Sequence, residues 1–184
     1  FNILEPVHLL WINLITDTFP ALALGMEKAE ADIMKRKPRD ANEGVFSGGL
    51  GFDVAYQGIL ISALVIISYG FGHMFETGTF GFGGSAHGTT MAFLTLSMAE
   101  IFHSFNLRSR EKSLFKIKGM NKMLNIAAIV SLALTTAVCE IPVLASAFDF
   151  TAVGLREYAT AALLGFCVIP VVEVVKLIRR QKNK

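Results

Sequence analysis

The chain has 184 residues, of which 53% are hydrophobic and only 17% are charged, and its formal net charge at pH 7 is +2. This composition is too apolar for an ordinary soluble domain of that length. The two cysteines are too few for a disulfide framework, and no Walker-type phosphate loop is present.

Five weakly charged apolar runs account for the excess of hydrophobic residues. In chain order they cover residues 4–25, 52–75, 89–107, 123–148 and 157–178. A helix needs about 20 residues to cross the hydrocarbon core of a bilayer, and each run is close to that length. The sequence therefore predicts an all-α, polytopic membrane helix bundle with five transmembrane helices and short loops.

The first run carries oxygen-bearing side chains at the depth of the bilayer. Asn13, Thr16 and Asp17 stand at i, i+3 and i+4, so an α-helix places them on one face. Pro20 continues this face and weakens the backbone ladder, which frees carbonyl oxygens nearby. A charge at this depth indicates a functional site, and oxygen ligands suit hard cations such as calcium, sodium or magnesium. The alternative is a polar face that only packs against another helix.

The third run holds a second carboxyl group, Glu100. Ser97, His103 and Ser104 form a polar stripe with it at i−3, i+3 and i+4. A carboxylate at this depth stays charged only beside a cation or a basic partner, so Glu100 fits a cation ligand or a proton carrier. A neutral glutamic acid bonded to a neighbouring helix is the alternative. His103 is interpreted as structural, because hard cations prefer oxygen.

Basic residues are confined to alternate loops. All of the 17 lysines and arginines except Arg156 lie in loops 26–51 and 107–122 or at the C-terminal end of the last run and its tail. Positive-inside insertion then places these loops and the C-terminus in the cytoplasm. The chain begins at Phe1 on the predicted outer face without an initiator methionine, and we expect a C-terminal piece of a longer protein. Cys139 and Cys167 are predicted to be buried free thiols.

The segment at residues 6–17, PVHLLWINLITD, closely resembles the sixth transmembrane helix of calcium-transporting P-type ATPases. The similarity continues through residues 20–25 and the loop residues Asp32, Arg36 and Arg39. Glu100 with the exit loop that follows it resembles the eighth helix, and PVVE at residues 170–173 resembles the tenth. The resemblance covers the whole chain and implies helices six to ten of such a pump.

This resemblance implies a role for each candidate ligand. Asn13 corresponds to an amide ligand of one of two calcium sites, Thr16 to a hydroxyl ligand of the other, and Asp17 to the carboxylate that bridges both. Glu100 corresponds to the acidic ligand of the eighth helix. The family also implies a partly unwound first helix, proton counter-transport, and contact of loop 26–51 with a phosphorylation domain.

The phosphorylation motif DKTG and the actuator motif TGE of the family are absent from this sequence. Mg-ATP is therefore expected to be used by domains outside this chain, which alone would neither hydrolyse ATP nor transport an ion. The expected partners are the N-terminal helices and cytoplasmic domains of the same pump and the lipid bilayer, with no nucleic acid. A bacterial plasma membrane is favoured over an organelle membrane.

Two alternatives stay open at this point. A P-type pump with the same polar helix could move sodium or manganese in place of calcium. A non-catalytic membrane subunit or carrier is the alternative from a different functional class.

Overall fold

The computed structural model describes residues 2–29, 33–35, 38, 43–117 and 119–182. Within these ranges the regular structure is entirely helical, which confirms the predicted fold class of a polytopic helical bundle. Asp32, Arg36 and Arg39, the loop residues that carry part of the resemblance, lie outside the described residues.

Each of the five apolar runs lies on helix. The helices are α1 (Pro6–Trp11), a π-helical segment (Ile12–Asp17), α2 (Thr18–Gly25), α3 (Leu50–Thr77), α4 (Ala86–Asn106), α5 (Lys122–Glu140), α6 (Pro142–Ala147), α7 (Leu155–Phe166) and α8 (Val168–Lys182). Short 3-10 turns lie at Ile33–Lys35 and Leu114–Lys116.

Prolines interrupt the last two runs. Pro142 forces Ile141 into an extended conformation (φ −82°, ψ 115°), so the fourth run divides into α5 and the short α6. Pro170 has no N–H to donate to Phe166, and α7 gives way to α8 at Cys167. The prediction that both cysteines are buried was wrong for one of them. Cys139 is buried, whereas Cys167 is exposed at this break.

Four helical stretches in the described residues are long and apolar enough to cross a membrane. They are Pro6–Gly25, Leu50–Thr77, Lys122–Glu140 and Leu155–Gln181. The remaining predicted span corresponds to α4, whose 21 residues suffice in length but include many polar side chains. Two thirds of α4 is buried among the other helices, so its surroundings are protein and its polarity is compatible with a central position.

Small residues allow the other helices to approach α4 closely. A Cβ atom added to Gly72 of α3 would lie 2.6 Å from the Cα atom of Gly88 in α4. On the other side, a Cβ atom on Gly165 of α7 would lie 3.0 Å from the backbone nitrogen of Ala99. These contacts fix α4 between α3 and α7 and set the depth of Glu100.

His8 anchors the N-terminal end of the first span. Its Nε2 atom donates to the carbonyl oxygen of Phe148 at 2.7 Å, and its Nδ1 atom accepts the backbone N–H of Glu5 at 3.0 Å. The fully buried ring stacks on Phe150 with centroids 4.5 Å apart. The helix that carries Asp17 is thus held to the loop between α6 and α7.

Replacing Gly72 with alanine tests the contact between α3 and α4. The added methyl group meets backbone atoms, which cannot turn away, and we expect a loss of about 1–3 kcal/mol in stability. Gly58→Ala is the matched control, because no atom lies within 4 Å of its Cβ position. Melting temperatures of the full-length protein in detergent should fall for Gly72→Ala and stay level or rise for Gly58→Ala; equal values would contradict this packing.

Candidate cation site

The first span departs from regular α-helix over Ile12–Asp17, which is π-helical. Backbone bonds in such a segment run from residue i+5 to residue i, so each turn holds an extra residue and the side chains are re-aimed. The Thr18 hydroxyl donates to the carbonyl oxygen of Asn13, five residues earlier, at 2.8 Å. The irregularity lies where the resemblance implies an unwound helix, but the chain remains helical throughout.

Thr16 and Glu100 meet between the first span and α4. The Thr16 hydroxyl lies 3.2 Å from Oε2 of Glu100 and 2.9 Å from the carbonyl oxygen of Ile12. Asp17 and Glu100 also lie near enough for their carboxyl groups to interact. Three of the four predicted site residues are therefore brought together, although Thr16 and Glu100 stand 84 positions apart in the sequence.

Asn13 does not join this contact. Asn13 and Asp17 are both exposed on the surface of this chain, whereas Thr16 is buried. The wider π-helical turn separates Thr16 from the other two, so the expectation that all three share one face holds only for Asn13 and Asp17. The site has an inner part at Thr16 and Glu100 and an open side at Asn13 and Asp17.

Ser131 of α5 is a site neighbour that the sequence reasoning missed. Its hydroxyl donates to the carbonyl oxygen of Ile15 at 3.0 Å, and the Ser131 side chain is fully buried. A π-helical segment leaves backbone oxygens without their usual partners, and a hydroxyl from an adjacent helix satisfies one of them here. A lone serine in an apolar run gives no sequence signal for this role.

His103 has a structural partner, in agreement with its interpretation from the sequence. The Nε2 atom of His103 lies 3.2 Å from Oε1 of Gln57 on α3, and the imidazole is buried. This contact joins α3 to α4 one helical turn from Glu100.

An ion-pair cluster ties the C-terminal ends of α2 and α4 together. Arg108, just after α4, donates to both carboxylate oxygens of Glu27, just after α2, at 3.0 and 2.8 Å. Asn121 donates to Glu27 at 2.7 Å and to the carbonyl oxygen of Ala23 at 3.0 Å. The Arg108 hydrogen bond, aided by Asn121, holds the pKa of the Glu27 carboxyl below its usual value despite partial burial.

The chemistry of this arrangement is that of an incomplete oxygen site. In the described part of the chain, no group of three or more histidine, cysteine, aspartate or glutamate side chains could hold a metal ion. Thr16, Asp17 and Glu100 offer one hydroxyl and two carboxyl groups, while a hard cation takes six or more oxygens. Further ligands would have to approach from the open side.

Nearly the whole chain matches one family model. Residues 1–178 match the model described as "Cation transporting ATPase, C-terminus". The chain belongs to this family. This agrees with the fold, in which an all-helical membrane bundle carries carboxyl groups on its first span and its central helix.

Relatives of this membrane region include bacterial and fungal ATPases. A calcium-transporting ATPase of Bacillus cereus is 38% identical over 96% of this chain, and one of Listeria monocytogenes is 35% identical over 98%. A sodium/potassium exporting P-type ATPase of Schizosaccharomyces pombe is 30% identical over 64% of it. The chain spans about a fifth of the length of the first two, 21% and 20% respectively.

Glu27→Gln tests the ion-pair cluster that joins the C-terminal ends of α2 and α4. A lowered pKa in the folded state stabilises the fold above the usual value of 4.5, and this contribution disappears as the pH falls through the lowered pKa. We expect the variant to lose about 1–3 kcal/mol at pH 7. The gap between variant and wild type in melting temperature should shrink below about pH 4.5.

The exposed Glu111 in the same loop as Arg108 provides the control. Glu111→Gln should leave the melting temperature of the full-length protein unchanged at both pH values. A Glu27→Gln variant that behaves like Glu111→Gln would show that the cluster contributes nothing to stability.

Proposed function

We propose that this chain is the cation-binding membrane part of an ATP-driven calcium pump, with Asn13, Thr16, Asp17 and Glu100 as oxygen ligands of the transported ion. The observation that carries the proposal is the contact of Thr16 with Glu100 beside Asp17, within a π-helical segment. π-helical segments occur frequently at functional sites. Hydroxyl and carboxyl oxygens are the ligands that calcium prefers.

The open side of the site supports completion by other helices of the same pump. Asn13 and Asp17 are exposed, as are Leu10 and Leu14 of the same span, which are 65% and 59% exposed. A carboxylate turned to lipid costs roughly 3 kcal/mol or more, so protein must cover this face. Helices preceding this chain are the partner of the right kind, because the chain spans only about a fifth of its relatives.

Proton counter-transport follows from the same pair of carboxyl groups. While a cation lies between Asp17 and Glu100, its charge offsets their mutual repulsion. Once the cation leaves, a proton on one carboxyl group removes the repulsion. An ion released on one side of the membrane is then replaced by protons taken up on that side.

The remaining parts of the proposal concern the whole pump. Mg-ATP is used by domains outside this chain, and their motion reaches the Asp17 helix through loop 26–51. The basic loops and the C-terminus lie in the cytoplasm, as the distribution of Lys and Arg predicts. The membrane is a bacterial plasma membrane, an assignment supported by the similarity to ATPases of Bacillus and Listeria.

Asp17→Asn tests the ligand assignment. In inverted vesicles that carry the full-length parent, ATP-driven uptake of radioactive calcium should lose about a hundredfold in calcium affinity, equivalent to roughly 3 kcal/mol, because a ligand charge is removed. Glu140→Gln, at the exposed outer end of α5, is the control and should transport normally. Unchanged calcium affinity in Asp17→Asn would remove Asp17 from the site.

Glu100→Gln separates the two roles of the second carboxyl group. Calcium affinity should fall less than in Asp17→Asn, and the dependence of uptake on external pH should flatten because one proton carrier is lost. An uptake curve and pH profile identical to those of the wild type would make Glu100 a structural residue that only bonds to Thr16.

Sodium is the second candidate ion, favoured by the similarity to a sodium/potassium exporting ATPase. The family resemblance favours calcium, because sodium-potassium pumps carry a second acidic residue at the position that corresponds to Asn13. ATPase activity of the full-length parent should be stimulated by micromolar calcium and not by sodium or manganese. Stimulation by sodium or manganese alone would keep the pump and replace the ion.

A non-catalytic subunit or carrier is the remaining alternative. It predicts cation movement that needs no ATP and persists without the rest of a pump. Uptake that stops when ATP is withdrawn from the vesicles would exclude it.

A further inference from the structure

A cavity of about 190 Å³ with several charged side chains in its lining lies between α3, α4 and α8, away from the cation site. It is found at the end of the bundle from which the basic loops leave. Its lining includes the polar side chains of Asp53, Gln57, Asn106, Arg110, Lys176 and Arg179, while apolar atoms supply most of its surface. Since a water molecule takes up about 30 Å³, the cavity has room for a group of several heavy atoms.

The charge of this lining is positive. Three cations face one carboxylate, Asp53, and Lys176 has a further partner in Glu173, whose carboxylate lies 3.5 Å away outside the lining. Asp53 is buried and binds Arg110 through Nε at 2.6 Å and Arg179 through Nη2. Asp53 lies in the first turn of α3, and its two arginine partners come from the loop after α4 and from α8.

Each of the two guanidinium groups has further N–H donors that do not bind Asp53. Among the described residues, Arg110 donates to Asp53 through Nε alone, and Arg179 donates to it through Nη2 alone. Their side chains are 42% and 33% exposed, so both groups are partly open to solvent at the rim of the cavity. Arg179 also lies over the ring of Phe52, 5.4 Å from its centroid. Asp53 thus holds both guanidinium groups in place, and their other N–H groups are left to bind a ligand. This arrangement is the one that recognises phosphate oxygens.

Asn106 supplies a second, independent observation. It is 1% exposed, and neither its amide nitrogen nor its amide oxygen has a hydrogen-bond partner among the described residues. Its backbone oxygen accepts from Lys176 Nζ at 2.7 Å, which also brings the ammonium group to this wall of the cavity. A buried amide without a partner costs about 1–3 kcal/mol, so this position is unfavourable unless a ligand engages it.

We infer that this cavity binds a phosphate group, held by Arg110 and Arg179 at its rim and by Asn106 at its wall, where the charge of Lys176 adds to the attraction. The group can belong to an anionic phospholipid or to a soluble phosphate. The apolar lining residues Leu50, Val172 and Val175 are compatible with a lipid glycerol backbone. The basic end of the bundle also attracts anionic lipids of the adjacent leaflet.

Arg179 and its neighbour Arg180 provide a matched pair, because only Arg179 lines the cavity. The full-length protein is placed in nanodiscs of phosphatidylcholine with increasing phosphatidylglycerol, and its melting temperature is followed. Phosphatidylglycerol should stabilise the wild type and Arg180→Gln alike. Arg179→Gln should need about tenfold more of this lipid, because one charge-assisted contact is lost.

A parallel titration with inorganic phosphate in phosphatidylcholine nanodiscs distinguishes the sources. A shift with phosphate that Arg179→Gln weakens and Arg180→Gln keeps identifies a site for soluble phosphate. A shift with phosphatidylglycerol alone identifies a lipid site. Both results support a phosphate-binding cavity. Equal responses of Arg179→Gln and Arg180→Gln to both ligands, or no response of the wild type, would overturn the proposal.

Asn106→Leu provides a second test, which does not depend on the folding of the Arg179→Gln variant. Without an anionic ligand, this substitution should raise the melting temperature, because it removes an amide that has no partner. With phosphatidylglycerol or phosphate present, it should respond less than the wild type. A variant that is more stable and responds fully to the ligand would exclude Asn106 from the site and contradict the proposed geometry.

Discussion

A carboxyl group at membrane depth needs protein around it, and this requirement governs the arrangement of the bundle. Glu100 lies on α4, the helix with the most extensive burial, and the glycine contacts to α3 and α7 enclose that helix. The more apolar spans around α4 provide the lipid-facing surface. The central position of α4 therefore explains why the most polar span is compatible with a membrane protein.

The first span meets the same requirement in a different way. Its π-helical segment turns Thr16 inward to Glu100 and leaves Asp17 on an open face. Ser131 satisfies a backbone oxygen of the widened turn. Such a segment makes the helix less regular. Hydrogen bonds from neighbouring helices offset the local free-energy cost of this irregularity. The result is a group of one hydroxyl and two carboxyl side chains with an open face, and the proposed cation site rests on this arrangement.

Contacts at both ends of the bundle hold these two helices in register. At the end where the first span begins, His8 binds the loop before α7, and His87 at the start of α4 pairs with Glu157 of α7. At the opposite end, Glu27 and Arg108 join the C-terminal ends of α2 and α4. A shift of one helix along the other would break both sets of contacts, so the relative height of Asp17 and Glu100 is fixed from two sides.

The sequence by itself determined the helical class, the polar positions Asp17 and Glu100, and the family resemblance, because hydropathy, spacing and motif are local properties. Tertiary structure decided which positions meet. It turned Thr16 away from the face predicted for it, exposed Cys167 at a proline break, and joined Asp53 to two distant arginines. These outcomes depend on helix packing and on where a helix changes its winding, and neither property can be read from the periodicity of a single segment.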